Sequence, residues 1–132
     1  MTALSVSCES ESCRSSQDIV NPNGDSELAL VMRDLFDQHM VVKEQIKSGV
    51  KPSFPMEIGN IHTLNATEPD KVRSLEYRAF AQSYLMLLEE LYDSESGRLK
   101  AAHNALVESC MNCHTALCPG PLTKIKKLYI SQ

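Results

Sequence analysis

The sequence predicts an all-α protein: an antiparallel up-and-down four-helix bundle whose second helix is short and broken. Apolar residues recur at spacings of three and four through three long windows, and Pro, Gly and Ser/Asp clusters separate those windows. No segment of useful length alternates with the strand period. A chain of 132 residues normally makes one domain, large enough to bury a core.

Residues 1–24, rich in Ser, Asn and Glu, read as an unstructured leader, and 25–132 as the folded domain. The opening "MTALSVSCESESC" resembles the tail of a bacterial lipoprotein signal with Cys8 as the acylated residue, although a charged n-region and most of an apolar h-region are missing. The plainer reading is a leader in which Cys8 and Cys13 are incidental or paired.

In the first helix, about 25–48, Leu28, Met32, Leu35, His39, Val42 and Ile46 form one seam, with Asp25 as the expected cap and Gly49 as the terminator. The connector 49–67 carries Pro52, Pro55 and Gly59, which leaves room only for a short helix around "PMEIGNIHTL". Thr67-Glu-Pro-Asp70 then reads as the start of one long helix with the seam Tyr77, Phe80, Tyr84, Leu87, Leu88 and Leu91. "DSESG" turns the chain into the last long helix, whose seam is Leu99, His103, Leu106, Cys110, Cys113, His114 and Leu117. Pro119, Gly120 and Pro121 end it, and "LTKIKKLYI" follows as a short basic amphipathic coda.

Composition narrows the function. A formal charge of −4 gives no electrostatic case for nucleic acid. No apolar run approaches the roughly 18 residues of a membrane span, so the body is expected to be soluble.

The informative stretch is "ESCMNCHTAL", because Cys-x-x-Cys-His is the attachment sequence of a c-type haem. Two cysteines three apart on a helix project the same way, to form thioethers to the two vinyl groups. The next residue can bring its imidazole to the iron. Cys110 and Cys113 are therefore the candidate covalent haem ligands and His114 the candidate axial ligand, with one haem c per chain.

Three other chemistries use the same residues. A zinc site from Cys110, Cys113, His114 and Cys118 lacks the usual separated second ligand pair, and adjacent Cys113 and His114 fit one tetrahedral ion poorly. A redox dithiol normally sits at a helix amino terminus within a βαβ pattern, whereas this one lies near a helix carboxyl terminus. An iron–sulfur cluster needs a fourth suitably spaced cysteine.

The last helix "GRLKAAHNALVESCMNCHTAL" and the first, "LALVMRDLFDQHMVVKEQ", together resemble the cytochrome c′ type of four-helix-bundle cytochrome, over about a third of the chain. The second helix departs from that pattern, and "TALCPGP" replaces the usual basic residue after the ligand histidine. The resemblance implies a haem near the carboxyl end, Leu28 over its other face, a five-coordinate iron and pairing through the first helix as a homodimer.

Up-and-down topology with a crossing connector, whose extended reach is roughly 60 Å, puts Leu28, Met32, His62 and Tyr77 at the haem level. Met32 and His62 are the candidate distal ligands. His39 and His103 lie about 16 Å along their helices from that level, too far to reach the iron, and are expected to face each other as satisfied core histidines.

The function expected is single-electron transfer by a monohaem cytochrome with a redox partner protein, and no catalysis. The alternative is a five-coordinate haem that binds or senses a small gas such as NO or CO, with a zinc-stabilised helical module as the outside option. Lys124, Lys126 and Lys127 either steer an acidic partner or belong to a coda that packs Leu122, Ile125 and Leu128 on the bundle. The expected location is exported: periplasmic, or held to a membrane by lipid and facing the periplasm. Cys118 is expected as a buried free thiol or in a bond to Cys13.

Overall fold

The computed structural model describes residues 24–53, 58 and 61–131. The leader with Cys8 and Cys13, and half of the segment 55–64 expected to hold the short second helix, lie outside the described residues; the described part of that segment, 58 and 61–64, is irregular or turn rather than helix. Every regular element described is helical: α1 (Glu27–Lys47), α2 (Pro69–Arg73), α3 (Leu75–Asp93), α4 (Leu99–Leu117) and α5 (Leu122–Ile125). Single 3₁₀ turns precede α4 (Ser96–Arg98) and follow α5 (Lys126–Leu128).

α1 begins one residue later than its expected cap. Ser26 accepts the Ala29 N–H at 3.2 Å, while the Asp25 carboxylate takes the Arg33 guanidinium at 2.5 and 2.7 Å. Gly49, at φ +75°, supplies the left-handed residue that ends the helix.

The single long helix expected from Thr67 is instead two helices, divided at Ser74. Its backbone is extended (φ −65°, ψ 151°), its hydroxyl donates to the Lys71 carbonyl at 2.6 Å, and the same oxygen accepts the Tyr77 N–H at 3.1 Å. A serine that satisfies the end of one helix and the start of the next makes the break locally stable. Pro69 opens α2 as expected, but Thr67 does not cap it; the Thr67 hydroxyl donates to Ser26 Oγ at 3.2 Å.

α3 and α4 form the most extensive helix contact, joined by the short turn at 94–98. They run antiparallel, since Tyr77 in the first turn of α3 lies beside Cys113 near the end of α4. α1 starts at that same end, where Leu28 and Met32 share a cavity with His114, and reaches mid-bundle where His39 meets His103. The connector returns to the start of α1: the Leu28 N–H donates to the Asn65 carbonyl and the Asn65 N–H to the Glu27 carboxylate, both at 3.0 Å.

The core has two parts. Leu35, Val42, Tyr77, Tyr84, Leu88, Leu91, Leu99 and Leu106 fill the space among the three long helices. Val107, Ile125 and Leu128 form a second cluster, in which the coda covers the other face of α4. Lys43 ties the coda to α1 by donating to the Lys127 carbonyl at 2.6 Å. Of the three coda residues expected to pack, Ile125 and Leu128 are buried and Leu122 is half-buried. No helix among the described residues is long and apolar enough to cross a membrane.

Candidate functional site

The last two turns of α4 end in an apolar cavity of about 740 Å³. That volume is within the roughly 300–1,000 Å³ of cofactor and small-molecule sites. α4 contributes Cys110, Cys113, His114 and Leu117; α1 contributes Leu28, Met32, Leu35 and Phe36; and α3 contributes Tyr77, Phe80 and Tyr84. Helix geometry explains the convergence on α4, because positions 110, 113, 114 and 117 share one face.

His114 is oriented by its own chain. Its Nδ1 lies 3.0 Å from the Cys118 carbonyl oxygen, which only accepts, so Nδ1 carries the ring proton and Nε2 keeps its lone pair. That carbonyl stands clear because Pro119 and Pro121 stop the helix, and Cys118 (φ −153°, ψ 78°) turns out of it. Burial lowers the His114 pKa, against the hydrogen bond to Cys118, which raises it. The ring is therefore a neutral donor at neutral pH.

The thiols of Cys110 and Cys113 are half-buried and free. Burial first, then the Cys113 thiol, pushes Cys110 up to about 12. Burial, then Cys118 and Glu76, pushes Cys113 up to about 11. Neither is the acidic, exposed thiol that disulfide exchange requires. Cys118 is exposed rather than buried, and its thiol is free; Cys13, its alternative partner, lies outside the described residues. Among the described residues, no group of three or more His, Cys, Asp or Glu side chains is gathered to hold a metal ion.

Leu28, Met32 and Tyr77, expected at the level of the motif, all line the cavity. Tyr77 is fixed by donating to the Ile61 carbonyl at 2.7 Å, and burial, then Cys113, raises its pKa to about 12. His62 is half-buried and is not on the cavity wall; its neighbour Ile61 takes that place. His39 lines the inner end of the cavity and His103 lies behind it, fully buried.

The coda is the part of the site that sequence reasoning missed. Gly120, Pro121, Lys124, Ile125 and Leu128 form one wall of the cavity. The basic amphipathic pattern offered packing as one of two readings of the coda, but gave no sign that it would close the site.

No family model, curated protein or solved structure matches the chain.

Proposed function

We propose that this chain is a c-type monohaem cytochrome that transfers single electrons. One observation carries the reading: two thiols and a pre-oriented imidazole from one helix face share an apolar cavity of cofactor size. The residues present fit the group. The thiols of Cys110 and Cys113 would hold it by thioethers, and His114 Nε2 would bind its iron, with the Cys118 carbonyl as the outer partner that fixes the tautomer. Bound there, haem supplies a one-electron couple. The chain's own contribution is to exclude water with Leu28, Leu35, Phe36 and Leu117 and to keep the ligand imidazole neutral.

A cytochrome c′-like four-helix bundle is the architecture we infer around that haem, with α1, α3 and α4 as three of its helices. An exported, periplasmic setting, a redox partner protein and pairing through α1 as a homodimer belong to the same proposal.

Gas binding is the second reading, favoured by Leu28, which stands on α1 across the cavity from α4 and offers the iron no donor atom. A visible spectrum of protein made with a haem-maturation system, reduced with and without CO, tests both. Sharp low-spin bands indifferent to CO support a closed electron carrier; an immediate CO shift supports the open iron; no haem absorption sinks both.

A further inference from the structure

The cavity is mostly apolar, and the charged side chains on its lining are the cations Arg33, Lys71 and Lys124 and the carboxylate of Glu68. Two of these cations are already engaged. Arg33 is held bidentately by Asp25, and Lys71 pairs with Glu68 at 2.7 Å and donates to the Leu117 carbonyl at 2.9 Å. Lys124 has no carboxylate partner among the described residues; its Nζ lies 4.6 Å from the ring centroid of Phe36, itself a cavity residue. A cation–π contact fixes an ammonium without neutralising it. The two other coda lysines, Lys126 and Lys127, do not line the cavity.

An apolar slot with one pre-positioned, unneutralised ammonium at its edge suits an amphipathic ligand that carries a carboxylate. We propose that Lys124 is the anchoring cation of this site and takes a carboxylate of the bound group, which on the haem reading above is a propionate. The coda then has a binding role besides packing: Ile125 and Leu128 bury it against α4 and α1, and so hold Lys124 at the rim. The inference rests on the proposed haem function and goes beyond it by assigning the residue that recognises the polar edge of the group.

The test uses full-length haem-loaded protein in three forms: wild type, Lys124→Gln and Lys126→Gln. Lys124 and Lys126 are exposed, so neither change should unfold the chain. A neighbouring ammonium favours the ionised carboxylate, so its loss should move the propionate ionisation step of the oxidised spectrum upward by about one pH unit. The propionate bending band in resonance Raman should shift in Lys124→Gln only. Wild-type titration and Raman bands in Lys124→Gln, or the same change in Lys126→Gln, would overturn the assignment while leaving the haem reading intact. A haem stain of a denaturing gel, run on the same samples, separates the other failure: no covalent haem on the wild type overturns the functional reading and this inference with it.

Discussion

The imidazole rings of His39 on α1 and His103 on α4 meet inside the bundle, with centroids 6.2 Å apart and planes at 66°. Each has one nitrogen committed: His39 Nε2 to the Tyr84 hydroxyl at 2.7 Å, and His103 Nε2 to the Leu128 carbonyl at 3.0 Å. The carbonyl accepts, so His103 carries its proton on Nε2. Neither Nδ1 has a partner among the described residues. The pair joins all three long helices and the coda, and the requirement that both rings be neutral comes from their burial, which disfavours a charge on either, rather than from the hydrogen bonds.

That requirement makes stability depend on pH. Burial, reinforced by His103, lowers the His39 pKa to about 4. His39 faces Tyr84 and His103, and Lys43 in turn opposes charge on His103, whose pKa burial also lowers. Unfolded, His39 titrates near the ordinary value of about 6.5, so between about 6.5 and 4 the unfolded chain binds more protons. The His39 contribution is thus complete above about 6.5 and is lost as pH falls to about 4, by roughly 3 kcal/mol. Urea unfolding at pH 7 and 4.5 should show this loss, and His39→Leu should flatten it; equal slopes in both proteins would contradict the account.

Leu128 is 2% exposed and closes both the second core cluster and the cavity wall. Leu128→Ala should therefore cost about 3 kcal/mol in denaturant unfolding. Lys126→Ala, exposed on the same turn, should change stability by less than about 0.5 kcal/mol. A coda that only decorated the surface would make the two alike.

Ser74 rather than Thr67 starts the long helix. Ser74→Ala should destabilise the protein by about 1 kcal/mol, and Thr67→Ala, which removes only an exposed hydroxyl contact, by less than half of that. The reverse order in thermal melts would restore the uninterrupted helix.

Met32 is the thioether on the α1 wall of the cavity, four residues along the same seam from Leu28. If Leu28 covers the iron, Met32→Leu should leave CO binding to the reduced protein unchanged within about twofold. A variant that gains CO binding absent from the wild type would identify Met32 as the sixth ligand and a closed electron carrier.

The long helices and the shared face of Cys110, Cys113 and His114 were legible because both rest on one period. Leu35, His39 and Val42, then Tyr77, Tyr84, Leu88 and Leu91, follow a helical seam and are buried, and the Cys-x-x-Cys-His spacing places three donors on one face. Three features were not legible, each for a physical reason. The break at Ser74 depends on a hydroxyl serving two helix ends, which competes with the same residue continuing the helix. Ile61 replaces His62 on the cavity wall because an irregular segment has no period from which orientation can be read. Val107 is buried off the α4 seam because a second partner, the coda, covers another face of the helix.

The most direct test is mass spectrometry of the tryptic peptide 101–124 from protein made with a haem-maturation system. That peptide contains Cys110, Cys113, His114 and Cys118. The account predicts a mass increased by one haem, with fragmentation placing the attachment on Cys110 and Cys113 and leaving Cys118 unmodified. An unmodified peptide, or attachment through Cys118, would contradict it.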